Sequence, residues 1–119
     1  MILLDTHALV WLLAGHKRAR KLPQRGRLFV SPVSLLELRF LEELGRVALA
    51  SPSAVADDPR FAVDNPSSVS LFEAAVDLPW TRDPFDRLIV GHALMRGWRL
   101  ATADGRIHDH LPASAVLPL

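Results

Sequence analysis

Four acidic residues stand in contexts that suit shared chemistry: Asp5 after Ile2-Leu3-Leu4, Glu37 in SPVSLLEL, Asp86 in DPFDRLIV and Asp104 in ATAD. Asp5 ends a short apolar run and Asp104 follows another, Leu100-Ala101. In an open parallel sheet ligands bind outside the carboxyl ends of the strands, so both acids point to one rim. Two readings are open for each, because aspartate is also a favoured helix N-cap. Glu37 lies in a helix opened by Ser31 and Pro32, with proline at its first position. At about 100° per residue it projects on the side of Val33, Phe40 and Leu44, with Leu36 and Leu41 at the margins. Arg39, Glu42, Glu43 and Arg46 form the opposite, solvated side. A carboxylate in the apolar sector needs an ion pair, a metal or a convergent polar site, because an unpartnered buried charge is costly. Asp86 starts a similar stripe with Ile89, Val90 and Ala93. Asp83 before Pro84 reads as the N-cap of that helix.

Converging carboxylates repel one another and take up protons unless a cation holds them ionised. Oxygen-only ligands favour Mg²⁺ or Mn²⁺ over zinc. Such clusters suit phosphodiester hydrolysis by an activated water, which needs no nucleophilic side chain. That agrees with a chain that has no cysteine, hence no thiolate metal site and no thiol nucleophile.

The elements that must position these acids alternate. Ile2–Leu4, Leu28–Val30, Leu100–Ala101 and Ala115–Leu117 read as strands buried on both faces. Helical patterns run over Thr6–Leu13, Lys17–Lys21, Pro32–Leu44, Leu71–Asp77 and Pro84–Met95. Alternation of this kind predicts an α/β fold with a mostly parallel sheet. Ser51-Pro52, Asp58-Pro59 and Asn65-Pro66 punctuate the stretch Ala50–Ser70, which reads as loop with one short strand at Arg60–Val63. With 119 residues, half of them hydrophobic, the expectation is a single domain over 1–119 with a full core. Fourteen basic residues against 13 acidic ones leave a net charge of +1, which excludes gripping nucleic acid by bulk charge. The start has no basic segment of a signal peptide and no run is long enough for a membrane span, so the expected place is the cytoplasm.

Taken together, LLDTHALVWLL, SPVSLLEL, DPFDRLIVGHALMRGWRL and ATAD resemble the four acidic motifs of the PIN domain, and most closely VapC-type toxins of type II toxin–antitoxin systems. The likeness runs from Ile2 to about Asp109 in the family order; DPFDR followed by Thr102-Ala103-Asp104 is its most specific part. It implies an α/β/α sandwich around a short, mostly parallel sheet and Mg²⁺- or Mn²⁺-dependent endoribonuclease activity. It also implies a homodimer and inhibition by a VapB-like antitoxin. By position, Asp5, Glu37, Asp86 and Asp104 would be the catalytic, metal-binding acids. Thr102 and Thr6 would support them by hydrogen bonds, and Asp83 would be a peripheral extra acid. Thr81 and Gly91-His92 depart from the commoner residues of the subgroup, touching substrate choice or packing rather than the acids.

Lys17, Arg18, Arg20, Lys21, Arg25 and Arg27 concentrate six basic residues in eleven positions, a surface that could hold an RNA backbone or simply be solvated. Arg82 and Arg87 flank the acids and could orient a phosphate or pair with Asp83 or Asp86. Among the tryptophans, Trp11 reads as core or dimer contact and Trp80, in a loop, as the better candidate for stacking on a base. His108 and His110 read as surface residues, and His7, immediately after Asp5-Thr6, is the histidine whose distance from the site is in question. Two rivals remain: a binding module with a degenerate acid cluster, and a phospho-accepting signalling domain. The second requires a late lysine, and the only lysines are Lys17 and Lys21.

Overall fold

A computed structural model describes residues 1–48 and 54–119. Among these residues five strands form one sheet: β1 (Ile2–Leu4), β2 (Leu28–Val30), β3 (Phe61–Val63), β4 (Arg99–Thr102) and β5 (Val116–Pro118). Their order is β3-β2-β1-β4-β5, and every neighbouring pair is parallel. Leu3 lies opposite Phe29 on one side and Leu100 on the other, so β1 is the central strand.

The helices are α1 (Thr6–Ala14), α2 (Pro32–Glu43), α3 (Ala54–Asp57), α4 (Ser68–Val76), α5 (Pro84–Arg96) and α6 (Gly105–His110), with 3₁₀ turns at Lys17–Lys21 and Ala113–Ala115. Adjacent side chains of a strand point to opposite faces. Leu4 accordingly joins a core with Ala8, Leu9, Val30, Leu38 and Ala101, while Leu3 joins another with Ile89, Val90, Ala93, Leu100 and Ile107. Helices therefore cover both faces, as the α/β/α expectation required. Successive crossovers leave β1 for β2 and β3, then return to β4 and β5, so strand order reverses beside β1. A crevice at the carboxyl ends follows from that reversal.

Local chemistry sets the ends. Ser31 caps α2 by accepting from the Val33 N–H, and Asp83 caps α5, each with proline following. Gly97 ends α5 at φ 67°, a left-handed conformation that glycine adopts without penalty. Gly91 faces α4 so closely that a Cβ there would meet backbone atoms of Ala74 and Ala75 at 3.1 Å. α4 and α5 thus pack nearly backbone to backbone.

Several expectations shift. Lys17–Lys21 is helical but 3₁₀, and α4 begins at Ser68 rather than Leu71. Short α3 and α6 were not foreseen, and Ser51-Pro52 lies outside the described residues. The larger correction concerns α2: Ser34, Leu38 and Leu41 are its buried positions, whereas Leu36, Phe40 and Leu44 are exposed. The apolar stripe is not the core face. Ser34 can face inward because its hydroxyl meets that of Thr6 at 3.1 Å. No helix among the described residues is long and apolar enough to cross a membrane.

Candidate active site

The backbone N–H of Asp5 donates to the Ala101 carbonyl at 3.1 Å, extending the β1–β4 pairing by one residue and fixing Asp5 at the strand end. Its Oδ1 accepts from the Ala8 N–H at 2.8 Å, so Asp5 does cap α1. The two readings of this residue are compatible, since a carboxylate has lone pairs to spare. Burial pushes its pKa up; the Thr102 hydroxyl, the Ala8 N–H and His7 act against that, and Asp104 adds to it.

Asp104 repeats the arrangement after β4. It caps α6 through Arg106 N–H at 2.8 Å, and its own N–H donates to Thr102 Oγ1 at 3.0 Å. Buried Thr102 therefore anchors the Asp104 backbone and favours the ionised form of Asp5. Glu37, half-buried on α2, has its pKa raised by burial and by Asp83 and Asp5, with a hydrogen bond from buried Thr6 and nearby His7 opposing. Asp86, in the first turn of α5, is pushed up to about 7, chiefly by burial and then by Asp83, Glu37, Asp104 and Asp5. The same neighbours recur around each acid, which is the electrostatic mark of one shared site.

One cleft of about 350 Å³ receives them all. Asp5, Glu37, Asp83, Asp86 and Asp104 line it together with Thr6, His7, Ala103, Trp11 and Arg18. Within it, carboxylate oxygens of Glu37, Asp83 and Asp86 lie within 4.8 Å of one another. Asp83 is thus not peripheral. Its Oδ1 accepts from Phe85 and Asp86 N–H at 2.8 and 3.3 Å, which holds the carboxylate at the mouth of the helix beside Asp86. Glu37, Asp83 and Asp86 could together hold a hard divalent cation, which takes oxygen donors, with Asp5 and Asp104 lining the same cleft.

The basic residues divide. Arg18 lines the cleft, whereas Lys17, Arg20, Lys21 and Arg82 are exposed and do not line it. Arg87 faces the other way, donating to the Val76 carbonyl at 3.2 Å at the end of α4, with a buried Nε that has no partner among the described residues. Neither Arg82 nor Arg87 forms an ion pair with Asp83 or Asp86 among the described residues.

The aromatic expectations change as well. Trp11, half-buried, packs partly on the core yet lines the cleft. Trp80 instead stacks on His110 with ring centroids 4.5 Å apart and does not line the cleft. His7 lines the cleft. His108 is not a free surface residue: its Nε2 lies 2.9 Å from the Thr102 carbonyl, behind the site. His92 reads from the sequence as a departure that touches substrate choice or packing. It is wholly buried, with Nδ1 2.9 Å from Ser31 Oγ and Nε2 2.7 Å from Asp64 Oδ2. Packing, not substrate choice, is thus the part it plays in this structure.

Comparison with known proteins agrees with this geometry. A ribonuclease of Mycobacterium tuberculosis, VapC22, is 33% identical over 119 positions, covering 92% of this chain and 91% of its own length. A toxin–antitoxin complex from Klebsiella pneumoniae contains a chain with the same fold, at a TM-score of 0.74 and 18% identity, covering 98% of this chain and 96% of that one. The PIN domain model matches residues 2–111, all four strand-end and helix acids included, and the chain belongs to the PIN domain family.

Proposed function

We propose that this chain is a metal-dependent endoribonuclease, a VapC-type toxin that cleaves RNA phosphodiester bonds. The observation that carries the reading is the convergence of Asp5, Glu37, Asp83, Asp86 and Asp104 on one cleft at the carboxyl ends of β1 and β4. The likeness to a mycobacterial ribonuclease over nearly the whole chain supports it.

In this reading Asp5, Glu37, Asp86 and Asp104 would hold Mg²⁺ or Mn²⁺, and Asp83 would join them, its oxygen lying within 4.8 Å of those of Glu37 and Asp86. A hard divalent cation bound there supplies charge neutralisation at the phosphate and acidifies a water. The chain's own residues do the rest. Thr102 favours the ionised form of Asp5, and Thr6 that of Glu37. Asp86, its pKa pushed up to about 7, would be held in its ionised form by such a cation, so metal binding would tighten as pH rises toward 7. Arg18 draws the RNA backbone to the cleft wall, while Lys17, Arg20, Lys21 and Arg82 act from outside as a salt-sensitive field. Arg87 has no such part, being committed to Val76.

The working unit is one domain over 1–119, acting in the cytoplasm. Two exposed apolar faces support two protein partners, a second copy of the chain and a VapB-like antitoxin. One is Leu36, Phe40 and Leu44 of α2, and the other is Val69, Phe72 and Val76 of α4.

The test is cleavage of single-stranded RNA with Mg²⁺ or Mn²⁺, against a chelator control and Asp5→Asn. Metal-dependent internal cleavage abolished in the variant is expected. Equal cleavage by Asp5→Asn and the native chain overturns the assignment.

A further inference from the structure

The wall of the acidic cleft is not uniform. Trp11 and Arg18 stand together in it, and the Arg18 guanidinium carbon lies 5.1 Å from the indole centroid. This pairing is built by the turn after α1. Gly15 at φ 69° reverses the chain, the His16 ring stacks on Trp11 with centroids 5.4 Å apart, and His16 Nδ1 accepts from the Arg18 N–H at 3.1 Å. The indole is seated on the core cluster below β1 and β2, so its position is fixed, yet it remains half-buried and lines the cleft. Trp11 is the one tryptophan, and Arg18 the one arginine, in a wall otherwise made mainly of carboxylates.

This asymmetry has a chemical consequence. A polyanion approaching five carboxylates is repelled everywhere except at a bound cation and at this aromatic, cationic edge. Unpaired nucleobases stack on indole rings and on guanidinium planes, and a guanidinium also attracts phosphate. We infer that Trp11 and Arg18 form a nucleobase-stacking subsite for single-stranded RNA, which seats one base at the cleft wall and leaves the guanidinium to attract a neighbouring phosphate. The inference rests on the ribonuclease reading above. It assigns Trp11, on the face of it a core residue, to substrate binding.

The experiment measures binding of a labelled, mixed-sequence single-stranded RNA in chelator, so that no cleavage intervenes. It compares the native chain, W11F, W11A and R18A. Trp11→Ala should weaken binding about ten- to hundredfold, with Trp11→Phe retaining most of the affinity. Arg18→Ala should weaken it and lower the salt slope by about one contact. In cleavage assays the Trp11→Ala loss should fall on KM, with kcat held within severalfold. Native-like RNA affinity in W11A overturns the subsite. So does a W11A chain that binds RNA normally but loses antitoxin, which would make the pair a protein-docking contact.

Should W11A fail to fold, RNA carrying 2-aminopurine decides: quenching on the native chain, diminished in W11F, is expected, and no quenching overturns the proposal. The two readings fail separately. Trp11-dependent RNA binding without cleavage in Mg²⁺ or Mn²⁺ removes the ribonuclease and leaves the subsite. Cleavage with a KM indifferent to Trp11 removes only the subsite.

Discussion

His92 and Ser31, sixty-one positions apart in the chain, meet at 2.9 Å between Nδ1 and Oγ in a fully buried contact. Ser31 Oγ also accepts from the Val33 N–H, so its proton is free for Nδ1, and Nε2 then donates to Asp64 at 2.7 Å. Arg96 holds the same carboxylate at 2.8 Å. Burial alone would raise the Asp64 pKa, but the bonds from His92 and Arg96 hold it below the usual range. This network ties α5 to the ends of β2 and β3 and to the cap of α2, the helix that carries Glu37. His92→Ala should cost roughly 2–4 kcal/mol, from the cavity and from the stranded Ser31 and Asp64 groups, read as a lower denaturation midpoint at unchanged slope. A loss near zero would remove the network from the account of stability.

Asp5→Asn should abolish RNA cleavage without loss of fold, because asparagine caps a helix as well as aspartate and can still accept from Ala8. Circular dichroism and thermal melting check the fold, and a metal-supplemented cleavage assay checks the activity.

Asp83→Asn separates the two jobs of that residue. The cap bonds to Phe85 and Asp86 survive, but the leading charge neighbour of Asp86 disappears. Mn²⁺ affinity should fall by about 10- to 100-fold, the range for groups supporting a metal site, and the Asp86 pKa should drop from about 7. Calorimetric titration and NMR titration of the carboxyl measure the two. An unchanged Mn²⁺ affinity returns Asp83 to capping alone.

In the metal-free protein the acid cluster disfavours high pH. The folded chain retains protons on Asp86, Asp5 and Glu37 that the unfolded chain releases above about pH 4, so stability from these groups is full below that value and is lost as pH rises toward 7. Asp64 works in the opposite direction, contributing above its unfolded pKa and losing that contribution as pH falls through its lowered one. Melting temperatures in chelator should therefore fall between about pH 4 and 7. Glu37→Gln or Asp86→Asn should flatten that fall, and saturating Mn²⁺ should reverse it. A melting profile in chelator that rises across this window contradicts the clustering.

Gly91→Ala should be poorly tolerated, since its methyl group would press on Ala74 and Ala75 backbone at 3.1 Å. A loss of about 1–3 kcal/mol is expected, measured by denaturant unfolding.

The strands at Ile2–Leu4 and Leu28–Val30 were legible as apolar runs, and the helix starts at Pro32 and Pro84 as proline after a capping residue. Asp5 and Asp104 were legible at strand ends because a parallel sheet gives such ends a common rim. What local pattern could not decide was which side of α2 faces inward. Phe40 and Leu44 advertise a core stripe, but Ser34 is buried, because a hydroxyl from another helix, that of Thr6, satisfies it. The same limit hid Trp11 in the cleft wall, Arg87 turned to α4, Asp83 drawn against Glu37, and His92 at the centre of a polar network. Periodicity along one segment reports a face. The partner meeting that face is contributed by a distant segment, and only tertiary contact determines whether a given side chain is core, ligand or surface.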